Sequence, residues 1–393
     1  MDNIHYFCQG ESHKSNEKPC QDYAYSESSE TLSMAIVSDG HGGERYFRSH
    51  IGSELAVNIA KEAIRTFIIN IEQGLVNDKN GVPVFQGQPF TSFSQASASE
   101  EQYRSKIHQS LTWFFSSIIS QWNTAIEKDA RERELSQWEI ENVGQQYIED
   151  FKERLGLEDA SFEKTYGCTL MAYVHTPKYW FAFHLGDGKC ISFHLNKDKI
   201  TISHPIPWDE QCFLNKTTSL CDSSALEEFR YCFQGDNTDV PIAVFLGSDG
   251  LDDTFGDGEI LYNFYIQLFK IIIKDGKDLA LKELSESLPI LSQKGSKDDM
   301  SVACIYNTEN LNYILPKLIE YQLDVNTDKL NRIEDKIMDL DNKLSNWINK
   351  ENITQKENIS IEYAKKDIIK YKEQAKLLHN KIESLRIELT ALS

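Results

Sequence analysis

Two Ser-Asp-Gly triplets, Ser38-Asp39-Gly40 and Ser248-Asp249-Gly250, each close a short apolar run, residues 32–37 (LSMAIV) and 241–247 (PIAVFLG). Apolar runs of this length ended by turn residues read as buried strands. Each triplet therefore places a carboxylate at the mouth of a strand. Two such carboxylates, far apart in sequence, are what a shared divalent-cation site requires, because hard cations take oxygen ligands and Mg²⁺ uses a few carboxylates plus waters. The first triplet continues as His41-Gly42-Gly43, which sets a titratable imidazole two residues from Asp39. Three further acids stand at predicted strand ends or turns: Asp22 in Cys20-Gln21-Asp22, Asp187 in Gly186-Asp187-Gly188, and Asp298 in Lys297-Asp298-Asp299-Met300-Ser301. Alone, each is an ordinary turn former. As a set of five, three of them followed by glycine, they form a stronger case, since glycine lets the backbone approach an ion.

The elements that must position these acids can be read along the chain. After the first triplet, Phe47, Ile51, Leu55, Ile59, Ala63, Phe67 and Ile71 recur every four residues, the stripe of an amphipathic helix. Residues 74–100 lose periodicity and read as a surface loop. A second helix carries Ile107, Leu111, Phe114, Ile118, Trp122 and Ile126, and the charged segment 127–156 reads as its continuation. Residues 169–175, 179–185 and 190–195 read as three strands of a β-meander. The segment 207–240 reads as a flap, 257–290 as helical, and Ser301–Tyr306 as a closing strand. Beyond it, Leu330, Ile333, Ile337, Leu340, Leu344 and Trp347 step by three and four. The pattern breaks through Glu351–Ser360 and resumes with Tyr371, Ala375, Leu378, Ile382, Leu385, Leu389 and Leu392. That narrow seam is the mark of a coiled coil, as a hairpin or as a pairing with another chain; helices packed on the body are the other reading.

Composition bounds the function. The 393 residues, 40% hydrophobic and 26% charged, suffice for one large core and an appendage. Acidic residues outnumber basic ones by 61 to 41, for a net charge of −20. All of that excess precedes residue 326, since residues 326–393 carry 13 basic against 12 acidic residues. An acidic body argues against binding a phosphate backbone, so no nucleic-acid partner is expected. The eight cysteines show no C-x-x-C pair and no zinc-type spacing, and none has an Arg six positions after it. These absences argue against a disulfide scaffold, a zinc finger and a cysteine-nucleophile phosphatase loop. No signal peptide and no membrane-length apolar run is present, so a soluble cytoplasmic protein without a membrane partner is expected.

In order, QD, SDGHGG, GCTL, LGDGK, GSDGLDD and KDDMS resemble the motifs of the metal-dependent type 2C serine/threonine protein phosphatases, over roughly residues 1–308. Such a sextet is far more specific than D-G-H-G-G alone. The resemblance implies an α+β fold, a four-layer α-β-β-α sandwich of two antiparallel sheets flanked by helices, with a C-terminal helical hairpin or coiled coil appended. The domain expectation is a phosphatase domain over 1–310, with a helical insertion around 74–160, and a helical extension over 311–393. The resemblance further implies two Mg²⁺ or Mn²⁺ ions, with Asp39 as the bridging carboxylate and the Gly40 carbonyl on the second ion. Asp249 and Asp298 complete the first ion, Asp22 serves the second, and Asp187 joins Asp249 at a third, weaker site. His41 is placed to protonate the leaving alkoxide.

The sequence also departs from the family pattern. No Arg precedes Gln21-Asp22 to grip the phosphate, which leaves His13, Lys14 or Lys18 as substitutes. Lys189 stands where Arg often follows the G-D motif, Asp252-Asp253 where Trp-Asp is common, and Asp299 where Asn often follows the ligand. The expected function is metal-dependent hydrolysis of phosphoserine and phosphothreonine in a phosphoprotein substrate. The alternatives are a phosphatase-like scaffold and a hydrolase of small phosphorylated molecules. Residues 326–393 are the expected site of self-association or of a protein partner.

Overall fold

A computed structural model of the chain describes residues 1–74, 85–87, 98–207, 217–235, 239–256, 258–349 and 354–392. Most of the loop expected over 74–100 lies outside the described residues. Among the described residues, eleven strands form two antiparallel sheets. They are β1 (Asp2–Cys8), β2 (Tyr23–Ser28), β3 (Ser33–Ser38), β4 (Phe85–Gly87), β5 (Leu170–His175), β6 (Trp180–Leu185), β7 (Lys189–Asn196), β8 (Lys199–Ser203), β9 (Arg230–Gln234), β10 (Ala243–Gly247) and β11 (Met300–Tyr306). One sheet has the order β1-β11-β10-β7-β8 and the other β2-β3-β5-β6-β9-β4.

The side-chain alternation of the strands builds two cores at once. In β3, Ala35 and Val37 face the layer between the sheets, where they meet Val244, Leu246, Ala303 and Ile305 of the opposite sheet. Met34 and Ile36 face the other way, into the cluster formed with α2 (Ser49–Gly74) and α3 (Ala98–Glu132). Because both faces are covered, the strand reads as an unbroken apolar run. On the far side, Phe245 stacks on Tyr265 at 4.6 Å between ring centroids. Tyr265 belongs to α9 (Gly258–Asp275), which packs with α10 (Lys277–Lys294). Helix, sheet, sheet and helix thus make four layers, the expected α-β-β-α sandwich.

Several local expectations are corrected. The three strands expected as one meander lie in two sheets: β5 pairs with β6, but β7 pairs with β10. The chain crosses between sheets at Gly186-Asp187-Gly188. There Gly186 has φ +130°, and a Cβ on Gly188 would stand 2.6 Å from the Gly247 carbonyl. The flap segment contains a fully buried strand, β9, whose Tyr231 and Phe233 enter the helix-side core while Cys232 enters the inter-sheet layer. The stretch 127–156 is not one helix. After α3 come α4 (Gln137–Asn142) and α5 (Gln145–Leu155), separated from α3 by a capping box in which Ser136 and Glu139 bond each other's backbone N–H. The helical stretch 257–290 divides at Gly276, whose φ is +89°. Short helices α1 (Glu11–Ser15), α6 (Glu163–Tyr166), α7 (Ala225–Glu228) and α8 (Asp249–Phe255) edge the sandwich.

The chain divides into two compact units, Met1–Leu195 with Thr201–Glu309, and Asn196–Ile200 with Asn310–Ser393. In the second, α11 (Leu311–Ile348) and α12 (Gln355–Thr390) pack together. Leu330, Ala375 and Ile382 form their buried seam, with Leu323, Ile333, Ile337 and Leu378 around it. The three-four seam is therefore used within the chain, as a hairpin. Among the described residues, no helix is long and apolar enough to cross a membrane.

Candidate functional site

Strand register carries all five sequence-nominated acids to one edge of the sandwich. Tyr23 pairs with Ser38, so Asp22 and Asp39 flank the same end of the β2–β3 ladder. Val37 pairs with Met171 and Leu170 with Leu185, which brings the Gly186-Asp187 turn to that edge. In the other sheet, Gly247 pairs with both Lys189 and Val302, so Asp249 follows its strand where β7 and β11 begin, next to Asp187 and Asp298.

Hydrogen bonds fix the strand mouths. The Asp39 N–H donates to Thr169 Oγ1 at 3.0 Å, and the Thr169 N–H donates to the Asp39 carbonyl at 2.8 Å. The Gly40 N–H donates to the Gln21 carbonyl at 3.1 Å, and a Cβ on Gly40 would lie 2.8 Å from that oxygen and from the Ser49 carbonyl. Across the site, the Ser248 N–H donates to the Ser301 carbonyl at 3.2 Å and the Ser301 N–H to Ser248 Oγ at 3.0 Å. Asp299 is a buttress: its carboxylate accepts from the Gly10 N–H at 2.6 Å and the Gln21 N–H at 2.5 Å and pairs with His13 at 2.8 Å. Burial alone would raise its pKa, but the His13 contact and the two N–H bonds hold it below the usual value.

The carboxyls of Asp39 and Asp249 lie within hydrogen-bonding reach of each other, a contact that needs a proton or a cation between them. Burial, the charge of Asp249 and then that of Asp22 push the Asp39 carboxyl well up, and burial with Asp187 and Asp298 pushes Asp249 up to about 7. Asp22 is raised too, first by burial and then by Asp299, and its Oδ2 has no hydrogen-bond partner. Among the described residues, no three His, Cys, Asp or Glu side chains converge as a ligating cluster. The acids meet instead as one pair, with Asp22, Asp187 and the exposed Asp298 within electrostatic reach. Crowded acids in need of positive charge, with an orphaned buried oxygen among them, fit a divalent cation that keeps several waters.

The other nominated residues sit around this pair. The His41 backbone N–H donates to the Gly167 carbonyl at 3.0 Å, and the His41 ring lies 4.8 Å from that of Tyr46. Burial lowers its pKa to about 4, so the imidazole is neutral at pH 7. The Lys18 ammonium donates to the Gly42 carbonyl at 2.6 Å, on the glycine loop itself. His13 is buried against Asp299 and Lys14 is exposed. Asp187 accepts from Thr217 Oγ1, and Lys189 pairs with Asp252 at 3.4 Å.

Three residues at this edge escaped the sequence reading. Arg45 is exposed beside His41 and donates to the Tyr46 hydroxyl. Arg230 is buried, donating to the Gly186 carbonyl at 2.6 Å and the Pro207 carbonyl at 2.8 Å, and its charge reaches Asp187. Trp138, on α4, donates to the Asn16 carbonyl at 3.4 Å, which sets the added helices beside the Lys18 loop. An Arg four residues after the D-G-H-G-G histidine was the one available signal; the other two become neighbours of the site only through the fold.

A comparison with curated proteins returns no match. Similar solved structures include a variant of a bacterial serine phosphatase (14% identity, covering 77% of this chain and 97% of that one, TM-score 0.41). Others are the catalytic domain of the serine/threonine phosphatase PstP in complex with two manganese ions (16%, 77% and 96%, TM-score 0.37) and a serine/threonine phosphatase from Staphylococcus aureus (13%, 78% and 95%, TM-score 0.40). The sequence matches the protein phosphatase 2C family over residues 9–288, a span that includes both strand mouths whose carboxyls meet, together with Asp22, His41 and Asp187. By that match over most of its length, the chain belongs to the protein phosphatase 2C family.

Proposed function

We propose that this chain hydrolyses phosphoserine and phosphothreonine in proteins at the edge where Asp39 and Asp249 meet. That meeting carries the reading: two acids from two different sheets are held in contact although burial and mutual repulsion oppose it. Asp39, Asp249 and Asp298 are assigned to hold a first Mg²⁺ or Mn²⁺, Asp39 with the Gly40 carbonyl and Asp22 to hold a second, and Asp187 with Asp249 a third, weaker one. When bound, such ions supply a water of lowered pKa and neutralise charge on the phosphoryl oxygens.

The remaining work falls to the chain's own groups. Thr169 and Gln21 fix the Asp39-Gly40 backbone, and Asp299 fixes Gln21 and Gly10. Lys18 is the nominated residue bonded to the glycine loop, and it contributes a point charge beside an incoming phosphate. His41 rests neutral; a phosphate dianion beside it opposes the effect of burial and favours the imidazolium that hands its proton to the leaving alkoxide.

The test is turnover of phosphoserine, phosphothreonine and phosphotyrosine peptides at graded Mg²⁺ and Mn²⁺, with wild type beside Asp39→Asn. Hydrolysis of the first two that requires the cation and vanishes in the variant is expected. Absence of turnover at every metal concentration, with no cation site by calorimetry, would favour a phosphatase-like scaffold.

A further inference from the structure

A cavity of ≈ 860 Å³ opens beside His41, walled by the glycine loop, α3, the turn at Ser161–Lys164 and the segment 217–228. Among the described residues, two of the side chains that line it carry an oxygen with no hydrogen-bond partner. Glu228, at the end of α7, is 8% exposed; its Oε1 accepts from Ser224 Oγ at 2.7 Å, while Oε2 has no hydrogen-bond partner. Asn123, on α3, lines the same cavity, and its buried Oδ1 has none either. Native proteins seldom leave such oxygens unpaired, and a carboxylate shielded from water calls for a cationic donor. The cations lining the cavity are engaged elsewhere: Arg45 bonds the Tyr46 hydroxyl, and Lys164 pairs with Asp222 at 2.8 Å. Both are exposed, whereas Glu228 is buried.

We propose that this cavity receives an arginine side chain of the phosphoprotein substrate, whose guanidinium donates to Glu228 Oε2 and Asn123 Oδ1 while the phosphorylated residue lies at His41. The proposal rests on the phosphatase reading above. A planar fork of N–H donors suits two acceptors, one on α3 and one on α7, better than a single point charge does. The acidic body, which carries all of the net negative charge, favours approach of a basic segment.

The experiment uses the full chain and phosphothreonine peptides with one arginine placed at each position from about three before to three after the phosphoresidue. Each is matched by a peptide with citrulline, which keeps the shape but not the charge. In wild type, kcat/KM is expected to favour arginine over citrulline by about tenfold or more at one or two positions, through KM. In Glu228→Gln, which retains the acceptor for Ser224, and independently in Asn123→Ala, that ratio should fall toward one. A ratio near one in wild type, or a ratio unchanged in both variants, overturns the proposal. An aryl phosphate separates the two readings: if wild type hydrolyses neither it nor any peptide, the phosphatase reading has failed. Fluorescence anisotropy of the arginine and citrulline peptides on wild type and Glu228→Gln then decides the cavity's role, and equal affinities sink it.

Discussion

Arg48 and Glu139 face each other at 2.6 Å between Nε and Oε1, both buried, across 91 residues of sequence. Arg48 also donates to the Tyr166 hydroxyl at 3.1 Å and to the carbonyls of Arg133 and Glu134, and it lies over the Phe151 ring. Glu139 at the same time closes the capping box of α4. Arg48, seven residues past His41 and just before α2, is thereby tied to the added helices.

Removing one partner strands the other. Glu139→Ala is expected to cost about 3–5 kcal/mol in denaturant unfolding, whereas Arg48→Met combined with Glu139→Leu should recover most of that loss. A Glu139→Ala protein as stable as wild type would show that the pair is not what anchors α4.

The meeting of Asp39 and Asp249 opposes folding without a cation. Asp249→Asn is expected to raise the metal-free unfolding free energy by about 1 kcal/mol, since it removes repulsion at a buried pair. The same variant should lose the rise in Tm that Mg²⁺ or Mn²⁺ gives wild type, about 2.7 kcal/mol when the ion is at a hundred times its Kd. Differential scanning fluorimetry with and without EDTA reads both.

Gly167 borders His41. An added Cβ would lie 2.8 Å from His41 Cδ2 and Tyr46 Cδ1 and 2.9 Å from Cys221 Sγ. Gly167→Ala is therefore expected to displace the imidazole and lower kcat on phosphopeptides by about tenfold or more, with a smaller effect on Tm. Unchanged kcat would mean that His41 need not hold this position.

Acid should weaken the fold through histidines that burial keeps neutral. The pKa of His50 is lowered to about 4, chiefly by burial, and that of His175 also to about 4. With an unfolded value near 6.5, the unfolded chain binds more protons between those limits. Stability is then fully present above about pH 6.5 and falls as the pH drops toward 4, by roughly 2 kcal/mol for His50 between pH 7.5 and 5. His50→Gln should flatten that slope in urea titrations at the two pH values.

The helical hairpin carries its own seam. Ile382→Ala is expected to cost about 2–4 kcal/mol of hairpin stability while turnover of an aryl phosphate stays at the wild-type rate, because Ile382 belongs to the second unit, Asn196–Ile200 with Asn310–Ser393. A parallel loss of turnover would show that the two units are functionally coupled.

Asp39, Asp187 and Asp249 were legible because each sits where an apolar run meets glycine, a pattern confined to a few consecutive residues, whereas Asp22 and Asp298 stood out as acids at predicted strand ends. The helix stripes of α2 and α3 were legible because a three-four period repeats over several turns. What escaped depends on partners that sequence does not pair. β9 alternates over only five residues with charged and polar ends, so nothing marks Arg-Tyr-Cys-Phe-Gln as a central strand until β6 lies beside it. The change of sheet at Gly186-Asp187-Gly188 looks like any tight hairpin until Gly188 is seen against Gly247. Arg48 reads as a surface charge at a helix start until the capping box of α4 brings Glu139 to it.

Asp39 leaves its strand two residues after Val37, and Asp249 leaves its own three residues after Leu246; the two strands belong to opposite sheets. What separates those sheets is a filling rich in small side chains, with Ala24, Ala35, Ala182, Cys190, Cys232 and Ala303 among its members. The thickness of that filling is thus the gauge that sets how far apart the two acids stand. A methylene added to Ala35 or Ala303, remote from any ligand atom, is a change in the bite of the site.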